Sequence, residues 1–218
     1  MRFRIDLKIF VFILLFYLTK QIETYAIVMI FAIIHEFGHL FAGIILGMKP
    51  EKIEIKPYGV SISFKLTPKD YNKKVCKGNL LEIKKILVAL AGPVTNFIAI
   101  IILLNSNSQI FSHLILIYAN FLLIVFNLLP IYPLDGGRIL KSILHIFIGK
   151  RKAEDLKNKI SLTTISILTV IASIAIYKVK NIAIFIVIIF LWGIFIKEDL
   201  ILKRRNKIYN LLKKTIEN

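Results

Sequence analysis

His35, Glu36 and His39 make up the string His35-Glu36-Phe37-Gly38-His39, set inside an apolar run from about Tyr25 to Met48. Residues four apart on a helix share one face, about one turn from each other. Two imidazoles so placed can ligate one tetrahedral zinc ion, with the glutamate beside the first as general base for hydrolysis. The motif is short and arises by chance in long proteins, but its setting sharpens it. Ionised side chains at the centre of a membrane helix cost on the order of 2.5–3.5 kcal/mol each even on insertion scales. The plain alternative is a pair of histidines satisfied by helix-packing hydrogen bonds. Two histidines and a glutamate together on one hydrocarbon-length segment favour chemistry.

Catalytic zinc takes a third protein ligand and keeps one position open. His113 falls near the outer end of a later apolar segment, on the wrong face. His145 lies in an amphipathic stretch and stays open as a candidate. Asp135 is better placed, in the string from Asn127 to Arg138 that reads Asn-Leu-Leu-Pro-Ile-Tyr-Pro-Leu-Asp-Gly-Gly-Arg. Pro130 and Pro133 block regular helix there, and Gly136-Gly137 permits unusual backbone angles. Irregular backbone at membrane depth is tolerated only when buried in protein or lining a cavity. A solvated aspartate in a simple turn is the alternative.

These residues need a scaffold that reaches into a bilayer. The chain has 218 residues, is 57% hydrophobic and has a mean hydropathy of +0.74, values of a polytopic membrane protein. Apolar segments at about 9–19, 25–48, 86–104, 110–130, 161–177 and 181–196 predict an all-α membrane protein of about six transmembrane helices. The expected organisation is a membrane domain over residues 1–200 and a basic amphipathic cytosolic tail over 201–218. No cleavable signal peptide is expected. One cysteine, Cys76, rules out an internal disulfide and reads as a free cytosolic thiol in a lysine-rich loop.

The net charge of +17 is a matter of orientation. The N-terminus, the loop 49–85, the stretch 138–159 and the tail hold 27 of the 30 Lys and Arg. The opposite face holds Lys20, Lys178 and Lys180. By the positive-inside rule both termini are cytosolic, and the charge meets anionic lipid rather than nucleic acid. The second and fourth segments then both run inwards, so Asp135 emerges on the face that His35 and His39 open to. Within the loop, residues 53–56 and 60–65 alternate apolar and polar around Pro57-Tyr58-Gly59, which predicts a small membrane-associated β-hairpin between the second and third spans.

The chain resembles the site-2 protease family of intramembrane zinc metalloproteases. The resemblance rests on His35-Glu36-Phe37-Gly38-His39, on Ala91-Gly92-Pro93 with Asn96, and on Asn127 to Arg138, and it covers about residues 5–200. Within the family the chain is most similar to the stage IV sporulation protein FB branch, through the string Phe126 to Gly137. The resemblance implies that His35, His39 and Asp135 ligate Zn2+ and that Glu36 polarises the water. It further implies that Asn127 and Pro133 shape the substrate path, and that Gly92, Pro93 and Asn96 serve a helix entrance and close packing. The hairpin would pair with an extended substrate. The implied substrate is a membrane-associated pro-sigma factor in the mother-cell membrane around the forespore, under inhibitory membrane-protein partners. An anti-sigma factor or a remnant signal peptide is the alternative. No loop is long enough for a PDZ domain, and nucleotide-sensing repeats are not expected in the tail.

Two other classes remain. An intramembrane metal transporter would use the same residue types, but no second acidic or histidine cluster crosses the bilayer, and Glu36 suits a hydrolase. A catalytically inactive adaptor would not need the complete set His35, Glu36, His39 and Asp135.

Overall fold

The protein is described here from a computed structural model covering residues 2–5, 8–18, 20–56, 59–65, 75–106, 113–179 and 182–217. It divides into two units, Met1–Leu128 and Leu129–Asn218.

The first unit holds β1 (Arg2–Ile5), α1 (Lys8–Leu18), α2 (Ile22–Ile45), β2 (Lys49–Lys56), β3 (Gly59–Lys65), α3 (Val75–Leu104) and α4 (His113–Asn127). The hairpin expected from alternation is β2 and β3, paired antiparallel from Lys49 opposite Lys65 to Lys56 opposite Gly59. Its turn residues, Pro57 and Tyr58, lie outside the described residues. A third strand was not expected. β1 pairs parallel to β2, Arg2 opposite Lys52 through Ile5 opposite Ile55, so the sheet order is β1-β2-β3. Four residues of alternation beside the first apolar segment are too short to signal a strand alone, and a partner far along the chain supplies the ladder.

α2 ends at Ile45, and the carbonyl of its capping residue Leu46 accepts a hydrogen bond from Lys84 Nζ of α3 at 2.8 Å. α3 starts at Val75, well before the apolar segment at 86–104, so Cys76 belongs to a helix rather than a loop. Pro93 lies inside α3 and does not mark a helix entrance. In membrane helices such a proline is tolerated because neighbouring groups satisfy the freed backbone. α2 and α3 approach closely at Gly38, where a Cβ would collide with Thr95 Oγ1 and lie 2.8 Å from the Ala91 carbonyl oxygen. Small residues at helix crossings serve membrane proteins in this way, since packing rather than water exclusion drives association. On the same helix Gly43 leaves room for the Phe64 ring, which seats β3 on α2.

The second unit holds α5 (Asp135–Ile148), α6 (Lys150–Val179) and α7 (Ile182–Glu217). Gly149, at φ 79°, stops α5 and donates its N–H to the His145 carbonyl, so α6 starts at the next residue. α7 runs unbroken through the apolar segment and residues 201–217. Polar side chains join it to α6: Asn158 to Asp199 at 2.7 Å and Arg151 to Asn210 at 3.3 Å. The Lys203 hydrogen bond to Asp199 holds that carboxyl below its usual range.

Among the described residues three helical stretches are long and apolar enough to cross a membrane: Ile22–Ile45, Asn79–Leu104 and Lys150–Lys178. α4 is apolar but has 15 residues. Phe37, Phe41, Phe97 and Ile102 turn exposed side chains outwards, as a lipid-facing surface requires. These features mark a membrane protein.

Gly38→Val is expected to lower the thermal unfolding midpoint in micelles by several degrees, at an overpacking cost of about 1–3 kcal/mol. Gly193→Val, at a position where a Cβ meets nothing within 4 Å, should melt like the parent. Circular dichroism on heating compares the two.

Candidate metal centre

α2 carries His35 and His39 one turn apart, and both are buried, each 3% exposed. Their rings meet edge to face, with centroids 4.7 Å apart and planes at 87°. His39 Nδ1 lies 2.7 Å from the Val88 carbonyl oxygen of α3. A carbonyl can only accept, so Nδ1 carries the proton and Nε2 keeps its lone pair. That is how a ligating histidine is commonly held in the correct tautomer and orientation.

Gly92 marks where the two Nε2 atoms meet. A Cβ built on Gly92 would lie 2.5 Å from His35 Nε2, 2.5 Å from His39 Nε2 and 2.5 Å from His39 Cε1. Both Nε2 atoms therefore converge over one glycine of α3, and any larger residue would displace the rings. Two convergent imidazole nitrogens, one with its tautomer set by a carbonyl, form a donor pair suited to zinc. Glu36 follows His35 directly on α2 and is half-buried.

In the second unit the irregular loop expected from Pro130 and Pro133 is present. Ile131 is fully buried, and the Tyr132–Pro133 peptide is cis. Tyr132 N–H donates to Ser161 Oγ at 3.2 Å, and Ser161 O–H donates to the Pro130 carbonyl at 3.2 Å. A Cβ on Gly137 would strike Tyr132 N and lie 2.6 Å from the Ile131 carbonyl oxygen, so this glycine lets the loop fold back onto the first turn of α5. Asp135 sits in that first turn and is 4% exposed. The helix N-terminus favours a carboxylate there, and Arg138 Nη1 stands 3.5 Å from its Oδ1.

The remaining candidates fall elsewhere. His145 is ten residues along α5 from Asp135, about 15 Å at 1.5 Å per residue, too far to share one ion with it. His113 is the first residue of α4. Asn127 is the last residue of α4, and its Nδ2 donates to the Leu123 carbonyl at 3.0 Å. Pro133 carries the cis bond two residues before Asp135. The resemblance implied a helix-entrance and packing role for Gly92, and sequence reading missed Val88 and Ser161. A backbone carbonyl leaves no trace in residue type, and a serine within an apolar helix has many plain explanations.

Residues 105–172 match the family described as peptidase family M50. A curated relative, a zinc metalloprotease of Methanocaldococcus jannaschii, is 35% identical over 120 residues, covering 51% of this chain and 31% of the relative. The chain thus spans just under a third of that relative's length. A solved structure, the site-2 protease from Methanocaldococcus jannaschii, has a TM-score of 0.64 and 24% identity, covering 89% of this chain and 88% of that one. At that identity the likeness is one of fold.

Gly92→Ala is expected to weaken zinc binding on the order of tenfold or more, since its methyl group would overpack against the imidazoles at a cost of about 1–3 kcal/mol. Equilibrium dialysis of the purified protein against buffered zinc measures the change.

Proposed function

We propose that this chain is an intramembrane zinc metalloendopeptidase, hydrolysing a peptide bond in or near a membrane-embedded segment of a substrate protein. The observation that carries this reading is the convergence of the buried His35 and His39 Nε2 atoms over Gly92, with Glu36 beside them. The M50 match and the zinc metalloprotease relative support it.

Asp135 is the third ligand in this reading. It is a buried carboxylate offering one donor oxygen, and a His-His-Asp set is a zinc-type donor set. Zinc bound there supplies Lewis acidity, lowering the pKa of a water towards about 7 and polarising the scissile carbonyl. The Glu36 carboxylate takes the proton of the attacking water and hands it to the leaving amine nitrogen. His39, held by Val88, keeps its lone pair fixed throughout. A helical substrate must unwind before its carbonyl can be attacked. Among the described residues β3 pairs only with β2, so its outer edge can hold an extended segment by strand addition. Phe64 seats that strand on α2 at Gly43, one turn beyond His39. Asn127 and Pro133 line the substrate path.

In this reading the apolar segments make about six spans, and the charge split supports both termini being cytosolic. Residues 1–200 form the protease domain and 201–218 the cytosolic tail. The string Phe126 to Gly137 supports the stage IV sporulation protein FB branch, and with it a pro-sigma factor as substrate in the mother-cell membrane around the forespore, with inhibitory membrane partners.

Glu36→Gln is expected to lower cleavage of a co-expressed membrane-tethered substrate by about 10²–10⁴-fold, the usual contribution of a positioned acid–base group, and to leave zinc content unchanged. Full activity in this variant would sink the mechanism. A pro-sigma factor, an anti-sigma factor and a remnant signal peptide, each offered as substrate, distinguish the biological roles.

A further inference from the structure

The loop that leads into Asp135 is held by one hydroxyl. Ser161 Oγ accepts from Tyr132 N–H and donates to the Pro130 carbonyl, both at 3.2 Å, and Ser161 is 1% exposed. The two backbone groups flank Ile131, which is fully buried. Four other α6 hydroxyls behave differently. Thr163, Thr164, Thr169 and Ser173 all donate to carbonyls three or four residues back on their own helix. That local bond is the default for a serine or threonine in a helix interior. Ser161 leaves it and turns its hydroxyl to the loop.

A second contact acts on the same loop. The Tyr132 ring has Lys157 Nζ at 4.1 Å and Lys141 Nζ at 5.0 Å from its centroid. Lys157 lies one turn before Ser161 on α6 and is 2% exposed. Glu154, another turn back, anchors this group through Lys141 at 2.9 Å and through Arg205 of α7. Tyr132 is thus gripped at its backbone by Ser161 and at its ring by Lys157, three residues before Asp135.

We propose that Ser161 is a positioning residue for the metal site: it sets the backbone of residues 130–132 and thereby the direction of the Asp135 carboxylate. This rests on Asp135 being a zinc ligand. Groups that orient a ligand from behind typically alter metal affinity 10–100-fold when removed.

Zinc affinity of the purified full-length protein in micelles, measured by competition with a chromogenic chelator, tests it. Asp135→Asn, Ser161→Ala and the double variant are compared with the parent. Ser161→Ala is expected to weaken zinc binding 10–100-fold and Asp135→Asn more strongly. In the Asp135→Asn background Ser161→Ala should add less than twofold, because the carboxylate it orients is gone. A merely structural role would weaken both backgrounds equally, and that result overturns the inference. Parental affinity in Ser161→Ala beside a weakened Asp135→Asn overturns it alone. Parental affinity in Asp135→Asn overturns the ligand assignment and the inference together. Lys157→Met supplies a second arm, expected to weaken zinc binding in the same background-dependent way.

Discussion

Imidazoles within a hydrocarbon-length helix must be covered by protein, and α3 supplies that cover for α2. This constraint shapes the first unit. It requires the two helices to approach closely, which Gly38 permits against Ala91 and Thr95. It places Gly92 beneath the rings, where the two Nε2 atoms meet. It also gives His39 a backbone acceptor at Val88, which fixes one tautomer. Packing and chemistry here are one arrangement. The residues that bring the helices together are the ones that shape the space around the nitrogens.

The same rule governs the second unit, applied to backbone instead of side chains. Between Leu129 and Leu134 the chain leaves regular helix, and its amides lose their helical partners. Each unsatisfied group in an apolar interior costs several kcal/mol. Prolines at 130 and 133 remove two donors outright, which lessens the problem. Ser161 answers part of what remains, and Gly137 lets the first turn of α5 come close enough for the loop to fold back on it. The result is a buried aspartate at a helix N-terminus, where a carboxylate is favoured. An irregular segment of this kind is held by its neighbours and not by its own propensity.

How much of this was legible in the sequence depends on which physical signal each feature leaves. His35, Glu36 and His39 announce themselves because ionisable groups are rare in apolar segments, and their spacing of four matches the helix turn. The irregular loop before Asp135 shows in its prolines and glycines. The β2–β3 hairpin shows in its alternation. Helix ends were less legible: α3 and α7 extend well beyond their apolar segments, because a helix need not stop where lipid does. β1 was missed because its ladder partner is about 50 residues away. Pro93, for which the resemblance implied a helix entrance, lies inside α3, and a proline's position in a membrane helix is set by its neighbours more than by its own preference.

The groups that left no signal share a trait: each acts on another residue and touches no reactant. Val88 works through a carbonyl that every residue possesses. Gly92 is defined by the side chain it lacks. Ser161 differs from its neighbours on α6 only in which way its hydroxyl turns, and residue type does not encode that choice. Its direction is decided by competition between a local carbonyl four residues back and two backbone groups of an irregular loop. The loop wins because its groups have fewer alternatives than a carbonyl already paired within a helix. The same reasoning explains why Lys157 is buried. Its ammonium gains the Tyr132 face and the nearby Glu154 carboxylate in place of water, and so a costly charge comes to hold a costly loop.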